Sequence, residues 1–88
     1  MLFEKEIPAA VLCWYKASGE IVPKIFKIQP DERNAEVLTY NIDQIVHSEE
    51  KYHFGSKYID FTCHVAGQVV HLTYHIQDHR WGFCRDLR

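Results

Sequence analysis

Glycine, proline and methionine are scarce in this 88-residue chain, at four, three and one residues. A collagen-like or Gly/Pro-rich linker architecture is excluded by those counts. The glycines stand apart at 19, 55, 67 and 82, so there is no Gly-rich loop to cradle a phosphate. There is no HExxH, no serine elbow and no paired-carboxylate motif, and the chain is therefore expected not to be an enzyme. An excess of positive charge is missing too. Ten Lys and Arg stand against twelve Asp and Glu, for a formal charge of −2, which argues against a generic nucleic-acid binder. No apolar run approaches the roughly 20 residues that cross a bilayer. The start, Met1-Leu2-Phe3-Glu4-Lys5-Glu6, lacks a basic-then-apolar leader. The cysteines, Cys13, Cys63 and Cys84, are odd in number and include no CxxC, unlike a secreted disulfide framework. A cytoplasmic protein with free thiols and no bound cofactor is expected, folded as one small domain over residues 1–88.

What is present favours strands. Val, Ile, Thr, Tyr, Phe and Trp make up 30 residues, against 11 of Ala, Leu and Met. β-Branched and aromatic side chains suit a pleated surface and lose rotamer freedom in a helix. Residues 9–16 read as a first strand and residues 21–29 as a second, with Ala17-Ser18-Gly19-Glu20 as the turn between them. Pro23 cannot donate to a ladder and places an edge or an irregularity in the second strand. Residues 30–34 read as a loop and residues 36–47 as a third strand. Its alternation Leu38, Tyr40, Ile42 slips before Ile45 and Val46, which marks a bulge or sharp bend at Asp43-Gln44. Residues 48–56 read as a polar connection with room for one short helical turn.

The next segment carries the clearest pattern. If Ala66-Gly67 is a two-residue hairpin loop, Val65 faces Gln68. Cys63 then faces Val70, Phe61 faces Leu72 and Ile59 faces Tyr74 on one side. His64 faces Val69, Thr62 faces His71, Asp60 faces Thr73 and Tyr58 faces His75 on the other. The apolar partners fall together, and a one-residue slip would invert one strand. A turn at Asp78-His79-Arg80 leads to a last strand over 81–87. The expected fold is all-β: a small antiparallel SH3-like barrel of five to six strands.

The arrangement Gly19-x3-Pro23-x2-Phe26-x-Ile28, then Tyr40-x-Ile42-x2-Ile45, the Gly67 hairpin and Trp81-x-Phe83 resembles bacterial proteins built on small barrel domains. That group has no agreed activity, so the resemblance implies a fold and carries over no functional residue.

Six histidines are the compositional oddity. His71, His75 and His79 are spaced H-x3-H-x3-H, which on a helix stacks three potential zinc ligands on one face. On a strand, residues four apart lie roughly 13 Å apart at about 3.3 Å per residue, too far to share one ion. On the sheet the remaining metal candidates are His64 and His71, diagonal neighbours about 7–8 Å apart at Cα, with Asp60 or Cys84 as a third ligand. The bland alternative is a solvated polar face. Cys63 and His64 point to opposite faces of a strand and cannot form a thiolate–imidazolium pair.

The first strand is apolar on both faces, with Leu12 and Trp14 on one and Val11, Cys13 and Tyr15 on the other. Such a strand is either central or covered. The expected function is a non-enzymatic interaction module that binds a protein partner or itself, through a patch drawn from Trp14, Tyr15, Tyr58, His71 and His75. The alternatives are a nucleic-acid-binding barrel, using Lys24, Lys27, Lys51, Lys57, Arg80, Arg85 and Arg88 with Tyr58 or Trp81 for stacking, and a transition-metal site at His64 and His71. No membrane and no small-molecule substrate is expected.

Overall fold

The computed structural model describes residues 6–29, 33 and 36–85. It is all-β, with no helix among those residues. Seven strands form one antiparallel sheet: β1 (Ile7–Tyr15), β2 (Ile21–Ile28), β3 (Leu38–Asn41), β4 (Gln44–His53), β5 (Ser56–Val65), β6 (Gln68–His75) and β7 (Arg80–Arg85). Their order across the sheet is β3-β2-β1-β7-β6-β5-β4. The strands at the two ends of that order are consecutive in the chain, so the sheet must curl to bring them together. Ile42 N–H donates to the Lys24 carbonyl on β2 at 2.9 Å, and Asp43 N–H donates to the His64 carbonyl on β5, also at 2.9 Å. The chain thus passes from one end of the sheet to the other within two residues, giving a half-barrel.

The expected strand count of five to six is corrected to seven, and the cause is local. Residues 36–47 do not form one strand. The phase slip marks this corner at Ile42-Asp43 and, beyond it, a register shift in β4 between Ile45 and His47. The segment 48–56 is not a polar connection with a helical turn. It continues β4, turns at Phe54-Gly55 and starts β5. Ser48, Glu49 and Glu50 gave no apolar alternation because both sides of β4 are wet at that point. The loop expected at 30–34 and the end of the final strand at 86–87 lie largely outside the described residues.

The hairpin of β5 and β6 has the register expected from Ala66-Gly67, pair for pair from Val65↔Gln68 to Tyr58↔His75. Ala66 and Gly67 have φ of 51° and 80°, and Phe54 and Gly55 have 51° and 81°. Positive φ at both central residues is the type I′ geometry that matches strand twist. Pro23 lies where β1 and β2 lose register, between Leu12 and Cys13, and its missing N–H costs no regular ladder bond there.

The concave side holds the core: Phe26 and Ile28 from β2, Phe61, Cys63 and Val65 from β5, Val70 and Leu72 from β6, and Trp81 and Phe83 from β7. The inward residues of β1, Ile7, Ala9, Val11 and Cys13, pack against it. Rings connect strands distant in sequence. Phe26 stacks on Phe83 and on Tyr40 at 5.3 Å each, and Trp81 lies 5.6 Å from Phe61 and 4.9 Å from Tyr74. Such ring pairs contribute about 0.5–1.5 kcal/mol beyond the area they bury.

The corner is held by one side chain as well as by backbone. Asp43 Oδ2 accepts from the Ala66 N–H at 3.1 Å, tying the β3–β4 bend to the β5–β6 turn. Asp43→Ala is expected to cost about 1 kcal/mol, which lowers the midpoint of thermal unfolding by roughly 4–8 °C in a domain of this size. Asp43→Asn, which keeps an oxygen acceptor, should lose less. Equal loss in the two variants would show that the side-chain bond does not hold the bend.

Candidate functional site

Curling without full pairing leaves an opening. β3 covers the outer edge of β2 only over Ile25–Ile28. Past the corner, β4 pairs with β5 and leaves β2 behind. Ile21–Pro23 therefore carry no strand on that edge among the described residues, and the other edge of β4 carries none along its length. Between them lies a cleft of about 580 Å³. Trp14, Ile21, Val22 and Lys24 line one wall, Ile45, Val46, His47 and Ser48 the other, and Phe61 of the core is reached at its floor. A second hollow of about 250 Å³ continues it along β4, sharing Glu20, Ile21, Ser48 and Phe61.

Two apolar side chains of the walls, Trp14 and Val46, are exposed, and so are Leu12 and Tyr15 beside Trp14 on β1. Leu12, Trp14 and Tyr15 at the end of β1 are 63, 57 and 62 % exposed, and Val46 is 48 % exposed. The ladder between β1 and β7 ends at Ala9, so beyond that residue β1 has no neighbouring strand on the β7 side among the described residues. The Lys24 ammonium lies 5.2 Å from the centre of the Trp14 ring. Among the described residues Lys24 has no carboxylate partner, whereas Lys16 pairs with Glu20 at 3.3 Å and His47 contacts Glu49 at 3.2 Å. The cleft therefore holds one uncompensated ammonium, presented on an indole face.

The five residues expected to share a patch do not share one. Trp14 lines the cleft, and Tyr15 follows it at the exposed end of β1. Tyr58, His71 and His75 lie on the convex face of β5 and β6, where Tyr58 is only 4 % exposed and cannot belong to an exposed patch. His75 is mostly covered. Its Nε2 lies 3.0 Å from both carboxylate oxygens of Glu6, and Arg80 approaches the same carboxylate at 3.5 Å. Glu6 reaches them across Gly82, where a Cβ would collide with the Glu6 side chain. No sequence signal pairs Glu6 with a glycine and a histidine some seventy positions away. His71 Nδ1 lies 3.4 Å from Thr62 Oγ1 and 3.9 Å from Asp60 Oδ1.

The metal candidates can be placed in the same way. His64 and His71 occupy diagonal positions on the convex face, as the register required. Residues 68–75 are strand, so His71 and His75 are spread along β6, and His79 sits in the following turn beside the Tyr74 hydroxyl. Among the described residues no three His, Cys, Asp or Glu side chains gather around one point.

Three of the seven cations named for nucleic acid are engaged by carboxylates. Lys51 pairs with Asp60, Lys57 with Glu50, and Arg80 with Glu6 and Asp78. The hydrogen bond to Glu50, reinforced by its charge, raises the Lys57 ammonium above its ordinary pKa. Trp81 is buried in the core and offers no face for a base. Arg88 lies outside the described residues. No helix among them is long and apolar enough to cross a membrane.

The segment expected as a polar connection forms the tip of the β4–β5 hairpin. Phe54 is 92 % exposed at a positive φ, with the His53 ring 4.5 Å away. A bulky side chain in that backbone region is strained, by about 1–2 kcal/mol per residue. Phe54→Asn is expected to raise stability by about 1 kcal/mol in denaturant titration, because Asn-Gly suits a type I′ turn. Ala66→Asn in the equivalent turn should gain similarly. A loss of stability in Phe54→Asn would show that the ring, not the backbone, governs the tip.

The three thiols are free and differ in environment. Burial, with a smaller contribution from the nearby Asp60 charge, pushes Cys63 up from the ordinary 9.0 to about 11, and half-burial raises Cys13. The folded state thus holds the Cys63 proton more tightly than the unfolded chain does. Stability from this group is complete below pH 9 and is lost as pH rises toward 11. Cys63→Val should flatten the stability profile across that window, and Cys63 should resist alkylation until the protein unfolds. A wild-type profile as flat as the variant's would contradict the burial account.

Compared with protein-family models, with curated proteins and with solved structures, the chain gives no match.

Proposed function

We propose that this domain is a non-enzymatic interaction module that docks a protein partner at the cleft between β2 and β4 and its Leu12–Trp14–Tyr15 rim. The observation that carries the reading is the coincidence of exposed aromatic and aliphatic side chains with unpaired strand edges in one place. Either feature alone is a liability to a soluble protein, and large exposed apolar patches mark interaction sites. Trp and Tyr are also the residue types that most often anchor protein interfaces. An SH3-like small barrel remains our reading of the architecture, supported by the two-residue link between the end strands. Free thiols at separate positions fit a reducing, cytoplasmic setting.

The reading is tested with two immobilised baits, wild type and a Trp14→Ser/Tyr15→Ser variant. Both side chains are more than half exposed, so the substitutions should shift stability only within about 0.5 kcal/mol each. Extract of the cells that make the protein is passed over both, and sedimentation is followed across a concentration series. The expected result is a protein retained by the wild type and lost from the variant. Identical retention profiles, with a mass independent of concentration for both chains, would overturn the module reading.

A further inference from the structure

We infer that the cleft takes an extended, acidic–apolar segment of the partner as an added β-strand on the edge of β4. This inference rests on the module reading and names the occupant of the same site.

Three observations converge on it. The first is where β4 is guarded. A free strand edge recruits other strands unless charges, prolines or bulges protect it. On β4 the charges Glu49, Glu50 and Lys51 cover the second half, while Gln44 to Ser48 carry no carboxylate or ammonium. The unguarded half is the half that lines the cleft. The second is shape. An extended chain donates and accepts along one edge and sends alternate side chains to opposite sides. On one side the cleft offers the apolar side chains Ile45, Ile21 and Phe61, and the charged Lys16 and Glu20 of its lining neutralise each other. The register shift beside Val46 accompanies a side chain that stands half exposed at the wall. The third is charge. Lys24 is the cation of the cleft without a carboxylate partner among the described residues, and it is held over Trp14. A carboxylate on the incoming strand supplies the missing anion, while a second ammonium would be repelled.

Pairing with a strand edge and pairing with Lys24 are separable by experiment. The probe is a fluorescein-labelled heptapeptide alternating valine with aspartate, followed by anisotropy. It is compared with a lysine-for-aspartate peptide and with an aspartate peptide whose valine nitrogens are methylated. Binding of the aspartate peptide is expected, weakened about tenfold or more by the lysine exchange and abolished by methylation, which removes the donors along one edge. Lys24→Glu should invert the preference between the acidic and basic peptides. Val46→Lys should weaken all binding, and circular dichroism shows whether that variant is folded.

Equal binding of the methylated peptide would overturn strand addition while leaving an apolar docking cleft, and so the module reading, intact. Equal binding of acidic and basic peptides would overturn the assignment to Lys24. Failure of every peptide, alongside a partner retained only by wild-type bait, would overturn the inference without touching the module reading. Failure of both experiments would remove the two together.

Discussion

The fold turns on a two-residue corner. At Ile42 the chain still bonds to β2, and at Asp43 it already bonds to β5, strands that are otherwise far apart in the sheet. Neighbouring strands lie about 4.7–4.9 Å apart, so a flat seven-strand sheet would separate its ends by far more than two residues can span. Curvature is therefore forced by connectivity. It places β2 and β5 side chains in one interior, where Phe26 and Phe61 contribute to the same core. The Phe26–Phe83 and Phe61–Trp81 ring pairs then fix β2 and β5 against β7, the strand between them in the sheet order.

The same corner creates the cleft. A strand that bends away from its first partner to meet a second must leave part of the first unpaired. Here that part is Ile21–Pro23, and the chain places there a residue with no N–H to lose. The outward side chains of β1 and β2 next to it, Leu12, Trp14 and Val22, have no strand to cover them among the described residues. The apolar rim is thus a direct product of how the sheet is curled rather than an independent ornament.

What could be read from the sequence follows the same physics. The β5–β6 register was legible because both strands are buried on one face and wetter on the other, so alternation and turn chemistry agree. The break near Asp43 was legible as a slipped phase, because Ile45 resumes the inward sequence out of step with Ile42. Strand β4 was not legible. Ser48, Glu49 and Glu50 point to both sides of an edge strand that is wet on both, and a strand without a dry face leaves no period to find. For the site, Trp14 and Tyr15 could be singled out because an apolar strand with two apolar faces needs a cover. The structure places Tyr58, His71 and His75 apart from them, since partnership across the sheet says which face a side chain occupies and not what else reaches it. Glu6, lying over Gly82 to meet His75, is such a long-range contact.

The two hairpin tips show how differently similar backbones are used. Phe54-Gly55 and Ala66-Gly67 share nearly identical dihedrals. At 66 a methyl group occupies the strained position and the backbone N–H is tied to Asp43, so the turn serves the corner. At 54 an aromatic ring occupies it and stands in solvent, serving no contact with the core. A residue better suited to positive φ would relieve strain at either position, and nothing in the interior asks for phenylalanine. Core packing therefore does not account for phenylalanine at this turn. The cleft is lined by the first half of β4, and the tip follows the last residue of that strand, His53, beyond its charged segment. With Glu49, Glu50 and Lys51 in between, no uncharged edge runs unbroken from the cleft to the tip.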